Sequence, residues 1–303
     1  LRGRRIKTDN IISDGPLSVD YSVSYLHFET DITNPHESGL AWGNTSIRQG
    51  GSFSQAVVLS NPISSTTANG SFGMIGKESV STRYGNSKHQ AKLSLGSNDL
   101  KTLSWSNLGL KSGSFSIPAG VLMNGSQSFQ ITNSSENPNS EPFFDFLTLS
   151  YTRQLIYANP FKFYSPFLAN DMTFSITGTN LKVWNITNPT YPKNVPIQTI
   201  DDKTEIRISL PADTLQRFIV FNLNDLRTVP EIVEVGPINW DQLRNSNLGA
   251  NHIIVGPSDF SLAASDLVAH RQNTIFASLN KIYEEFSGGN KDPVAIRHFL
   301  QWT

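Results

Sequence analysis

"FFDFLTLSYTRQL" occupies residues 143–155. On an extended chain it places Phe143, Asp145, Leu147, Leu149 and Tyr151 on one face, and Phe144, Phe146 and Thr148 on the other. Side chains alternate along a strand with a period of two, so a run apolar on both faces is a strand buried on both, central in its sheet. Shorter runs around it alternate apolar and polar residues. They include "SVDYSVSYLHF" (18–28), with Val19, Tyr21, Val23 and Tyr25 on one face, then "FSQAVVLS" (53–60), "HQAKLSLG" (89–96), "FSIPAGVLM" (115–123) and "SFQIT" (128–132). "FKFYSP", "MTFSITG", "LKVWNITNP" and "EIRISL" continue the series after residue 160. Turn-forming clusters punctuate them: "STTANGS" (65–71), "RYGNSK" (83–88) and "NSSENPNSEP" (133–142). Turn signals about every 10–15 residues favour a sandwich or jelly roll over a βαβ fold.

The texture changes near residue 237. "GANHIIVGPSDF" (249–260) reads as strand, turn and helix start; "SLAASDLVAHRQ" is helical, "TIFASL" is a second strand and "NKIYEEF" a second helix, stopped by Ser287-Gly288-Gly289. Asp292 then caps and Pro293 starts a third helix, with Ile296, Phe299 and Leu300 on its apolar face. Strand–helix–strand–helix–helix is the opening of a parallel α/β sheet, and two strands alone leave that sheet incomplete. The expected architecture is a mainly β chain, jelly-roll-like or sandwich, over 1–236, as one sandwich or two with a possible break at 133–142. The start of an α/β domain follows over 237–303. The apolar face of the last helix is expected either to pack back on the β region or to drive dimerisation.

The chain has 303 residues, a net charge of -1 and only 16% charged residues, so no basic field draws in nucleic acid or an anionic membrane surface. Arg2, Arg4, Arg5 and Lys7 form one basic cluster, expected to be a solvated tail. There is no cysteine, hence no disulfide, thiolate zinc site or cysteine nucleophile within these residues. No apolar run reaches the roughly 18 residues of a transmembrane helix. No G-x-S-x-G, H-E-x-x-H, P-loop or G-x-G-x-x-G occurs. "VGPSDF" sits where a phosphate loop would, but Pro257 lacks an N–H, and Asp259 reads as a helix cap. His27, His36, His89, His252, His270 and His298 show no metal spacing, and the neighbours Asp201-Asp202 and Glu284-Glu285 read as solvated surface. The N-x-[ST] triplets at Asn44, Asn69, Asn124, Asn133 and Asn185 carry little weight in a chain so rich in Asn, Ser and Thr. Trp42, Trp105, Trp184, Trp240 and Trp302 would make a sugar-stacking platform only if several were exposed. No catalytic, cofactor-binding or metal residue is assigned, and no cofactor is expected.

The last 52 residues, from His252, resemble the first quarter of the gingipain-like cysteine peptidase domain, peptidase family C25. More narrowly they resemble the sortases, or C-terminal signal peptidases, of the type IX secretion system. The resemblance rests on Ile282, Tyr283, Glu285, Phe286, Ser287, Gly289, Asp292, Ala295, Ile296, Arg297 and Phe299, with Glu284 where the family more often has Asn. The Y-x-R-x-L of Tyr151, Arg153 and Leu155 is similar to a second signature. "WNIT" (184–187) is similar to a third, with Asn185 in place of Asp, a change that still allows an Asx turn. The family fold is a caspase-like α/β domain with a Cys–His dyad, and no dyad residue maps onto this chain. The resemblance implies the non-catalytic front of a surface endopeptidase that removes C-terminal secretion signals and helps attach cargo to the cell. Implied partners are the signal domains of secreted cargo and other secretion components; the implied location is the outer-membrane surface of a Gram-negative bacterium. The competing reading from the residues alone is a β-sandwich carbohydrate- or protein-binding module of a cell-surface protein.

Overall fold

The computed structural model describes residues 6–9, 17–37, 41–77, 88–106, 108–165, 171–209, 215–228, 243–244 and 249–303. The chain divides into two compact units, Leu1–Arg227 and Thr228–Thr303. Strands are numbered in chain order.

Among the described residues, the first unit is built on one nine-stranded sheet. Its order is β1 (Lys7–Thr8), β14 (Lys193–Val195), β13 (Leu181–Asn185), β17 (Arg217–Asn222), β11 (Phe161–Tyr164), β3 (Tyr21–Glu29), β10 (Phe143–Gln154), β5 (Ala68–Gly76) and β8 (Gly109–Ile117). Two smaller sheets complete it. One runs β4 (Ser52–Leu59), β9 (Gly125–Asn133), β6 (His89–Leu95) and β7 (Asn98–Trp105). The other runs β15 (Ile197–Ile200), β16 (Lys203–Ser209), β12 (Asp171–Thr177) and β2 (Leu17–Val19). The first core joins Phe72, Met74, Phe115 and Leu147 of the large sheet to Leu93, Phe129 and Ile131. The second joins Phe163, Val183 and Phe218 to Phe174 and Ile206. The unit is thus two sandwiches sharing one sheet. Each fully buried Phe contributes about 1.5–3 kcal/mol, and the second core is tightened by Phe163 rings 5.0 Å from Phe218 and 5.2 Å from Phe174.

β10 is central, between β3 and β5. A bulge between Phe144 and Leu147 resets its alternation, so Phe144, and not Phe143, shares the first core with Leu147, Leu149 and Tyr151. Its other face is polar below the bulge, with Thr148, Ser150 and Thr152 after Phe146. β3 alternates as expected but points the opposite way. Ser22 and Ser24 are buried, while Tyr21, Val23 and Tyr25 are about half exposed.

Three further expectations are corrected. "STTANGS" is not all turn: Ala68–Gly76 is a strand paired on both sides. Glycine there serves close packing, since a Cβ at Gly70 would lie 2.3 Å from the Thr148 carbonyl oxygen and 2.4 Å from the Phe115 ring. "FSIPAGVLM" ends as a strand at Ile117, because Pro118 offers no ladder N–H. Lys7 lies outside a frayed tail: β1 pairs in parallel with β14 at Lys7↔Lys193, while residues 1–5 lie outside the described residues. After Asn133 ends β9, the polar stretch 134–142 is a loop held by side-chain hydrogen bonds. Asn133 is fully buried and its Nδ2 donates to Ile47 O at 2.8 Å and Ser140 O at 2.7 Å. "RYGNSK" falls outside the described residues apart from Lys88.

In the second unit β18 (His252–Gly256) and β19 (Thr274–Ser278) pair in parallel, Ile253 opposite Ile275, and α1 (Ser261–His270) connects them. α2 (Leu279–Ser287) ends at Gly288 with φ 63°. α3 (Pro293–Trp302) starts as expected, Asp292 Oδ1 accepting from Val294 N at 2.8 Å. Part of its apolar face already has a partner: Phe299 and Ala295 pack with Ile282 and Ala277, and Phe299 meets Phe286 edge-on at 5.6 Å. Leu300 and Trp302 of α3 stay 51% and 59% exposed, and α1 buries none of its residues and leaves Leu262 85% exposed.

Replacing Gly70 by Ala is expected to lower stability by about 1–3 kcal/mol through overpacking. A urea-denaturation midpoint unchanged from the parent chain would refute the close-packing account of this strand.

Candidate functional site

The Y-x-R-x-L run at the end of β10 lies where the two sandwiches join. Tyr151 belongs to the first core and Leu155 to the second. Between them Arg153 is 4% exposed. Its Nε donates to Gln154 O and its Nη2 to Ile156 O, both at 3.2 Å, and its guanidinium carbon lies 4.0 Å from the Phe161 ring centroid. Among the described residues it has no carboxylate partner, so backbone carbonyls and an aromatic face replace the usual counter-ion. Burial draws its pKa below the ordinary arginine value, with a smaller opposing effect from Tyr151. The register explains the inverted β3: Ser22 stands opposite Arg153 and Ser24 opposite Tyr151. Small side chains there leave room for the two large ones.

The bulge carries a second constellation. Asp145 is 6% exposed and lies near Glu29, Asp31 and His27. Burial pushes its carboxyl up to about 6, Glu29 and Asp31 push in the same direction, and His27 opposes them. His27 Nε2 lies 2.7 Å from Glu29 Oε2, and its ring stacks on Phe146 at 6.0 Å. No group of three or more His, Asp or Glu among the described residues is arranged to hold a metal ion.

Asn185 makes the expected Asx turn, its Oδ1 accepting from Thr187 N at 3.0 Å and Thr187 Oγ1 at 2.7 Å. Its Nδ2 donates to Asp9 Oδ2 and to Gln216 Oε1, each at 3.0 Å. Aspartate could make the turn but not these two donations, and it would set a second carboxylate against Asp9.

Other candidates take ordinary structural places. His89 is buried beside Trp105, with Nδ1 2.9 Å from Ser140 Oγ, and His36 Nε2 meets Gly76 O at 2.6 Å. His252, His270 and His298 are exposed and Asp201-Asp202 form a hairpin turn. Asp259 sits inside a short 3-10 turn at Ser258–Phe260 and makes no capping bond, a correction to its reading as a cap. Glu285 is not solvated surface: its carboxylate accepts from Leu243 N at 3.0 Å and Arg244 N at 3.1 Å. Trp42 is 40% exposed, Trp105 is buried, Trp184 packs edge-on against Phe221, Trp302 is in the second unit and Trp240 lies outside the described residues. The tryptophans are therefore dispersed.

The residues that carried the C-terminal resemblance do structural work. Ile282, Ala295 and Phe299 form the small core, Asp292 caps α3, Gly289 N donates to Tyr283 O to close α2, and Glu285 anchors residues 243–244. Residues 245–303 match the family model of peptidase family C25. The chain resembles that family at its C-terminal end. Over 98% of its length it also shares the fold of dimeric latent PorU from Porphyromonas gingivalis, with a TM-score of 0.72 and 19% identity. It spans 29% of that solved chain. A CBM36-1 domain of a multidomain xylanase, from the hindgut metagenome of Trinervitermes trinervoides, aligns with 42% of this chain and 95% of its own at 12% identity. Its TM-score of 0.28 is too low to indicate a common fold. Comparison with curated protein sequences finds no match. No helix among the described residues is long and apolar enough to cross a membrane.

Two outcomes are expected. Because the folded Asp145 carboxyl holds its proton more tightly than the unfolded one, its contribution is fully present below about pH 4. It is lost as pH rises from 3.8, the ordinary value for the group, to about 6. Asp145→Asn should therefore be near neutral at pH 4 and stabilising by about 1–3 kcal/mol at pH 7.5; equal effects in urea titrations at both pH values would contradict the assignment. Arg153→Ala should cost about 2–4 kcal/mol through lost packing and two orphaned carbonyls, read as a lower thermal midpoint.

Proposed function

We propose that this chain is the non-catalytic front of a surface cysteine endopeptidase with sortase function, one that cleaves C-terminal secretion signals of type IX cargo and supports cargo attachment. The observation that carries the reading is the PorU fold over 98% of the chain, joined to the C25 match at residues 245–303. The absence of cysteine agrees with a supporting role for these residues, since the family's chemistry needs a thiolate. The β sandwiches would then position the peptidase domain, and the exposed α1 leucines would be covered by the remainder of its sheet. The partners on this reading are the signal domains of cargo and other secretion components, and the location is the outer-membrane surface.

Disrupting the coding region in the source organism is expected to leave secreted cargo with uncleaved C-terminal segments, detected by mass spectrometry of C-terminal peptides. Normally trimmed cargo would sink the proposal. The purified 303-residue chain should not hydrolyse a signal peptide.

A further inference from the structure

The outer face of the nine-stranded sheet carries a feature that the peptidase reading does not use. Register places Tyr25, Ser150, Asn69 and Ser116 in one cross-strand row over β3, β10, β5 and β8. The next row on the same face holds Thr148, Ser71 and Ser114. These rows line an open groove of about 510 Å³, which Gly70, Phe115 and, at the edge of the sheet, Leu100 and Lys101 of β7 also border. That volume lies within the range of small-molecule sites, roughly 300–1,000 Å³.

The lining has a definite chemistry. Ser71 Oγ lies 2.7 Å from Thr148 Oγ1, and Ser116 Oγ donates to Asn69 Oδ1 at 2.7 Å. These pairs fix the floor. Asn69 Nδ2 and the hydroxyls of Ser114 and Ser150 have no hydrogen-bond partner among the described residues and point from the same face. Hydroxyls both donate and accept, and the amide adds a donor. Lys101 is the one charged residue of the lining. Tyr25, 50% exposed, offers a ring beside this polar floor.

We propose that this groove binds a neutral oligosaccharide. A sugar presents hydroxyls that donate and accept in the same way, and an apolar C–H face that packs on an aromatic ring. An extended peptide fits less well. The floor strand β5 already spends its backbone groups on β10 and β8, so strand addition is not available on this face. Gly70 keeps that floor strand in close contact with its neighbours, which holds the rows in place.

The test uses the full 303-residue chain against an array of neutral gluco-, xylo- and manno-oligosaccharides, with hits measured by isothermal titration calorimetry. At least one neutral series should bind, and Tyr25→Ala and Asn69→Ala should each weaken it about tenfold or more without moving the thermal midpoint. Trp302→Ala, in the other unit, should leave affinity unchanged. No binding at millimolar sugar, binding confined to sulfated or uronic glycans, or affinity indifferent to Tyr25 and Asn69 would each overturn the proposal. None of these outcomes depends on whether the parent protein is a peptidase.

Discussion

Strand β10 is the constraint on which the first unit depends. It is hydrogen-bonded on both sides, its core face fills the first sandwich through Tyr151, and Leu155, just past its end, begins the second. A strand that serves two cores must carry something across the joint. Here that is Arg153, a permanently charged side chain buried without a carboxylate among the described residues. Removing it would leave carbonyls without donors and a gap beside Phe161, whereas a carboxylate partner would add a second desolvated charge. The arrangement also dictates the first half of β3, where Ser22 and Ser24 face inward and Tyr21 and Tyr25 outward. The exposed tyrosines of β3 thus follow from a packing demand on the neighbouring strand.

The same outward turn joins fold to surface chemistry. Tyr25 reaches the solvent face because Ser24 occupies the inner one, and the small residues of β5 and β8 leave a groove beside it. Asp145 shows the other consequence of an irregular β10. The bulge that moves Phe144 into the core also leaves a carboxyl in a poorly hydrated, acid-lined position. Stability of the first unit is thereby coupled to pH through one side chain.

The second unit is small but has its own core, and the C-terminal motif is the reason. Its apolar members meet in that core, and its polar members end or begin helices. A pattern that resembles a peptidase family at this end is, in this chain, also a pattern of folding instructions.

Local signals in the sequence determined a good deal. The alternation of period two marked most strands, the Asp292-Pro293 start and the Gly288 stop bounded α3 and α2, and Asn185 announced its Asx turn. These depend on short-range sterics and hydrogen bonds that a few adjacent residues settle. Tertiary structure decided the rest. Whether Tyr21, Val23 and Tyr25 face in or out depends on which side chains stand opposite, and that requires the β3–β10 register. Whether "ANGS" is turn or strand depends on a ring and a carbonyl some 45 and 80 residues away in sequence. Phe299 of α3 finds its partner in Phe286, one helix earlier across a glycine turn, while Leu300 stays exposed. The groove likewise exists only through pairing, because its rows draw one or two residues from each of four strands distant in sequence.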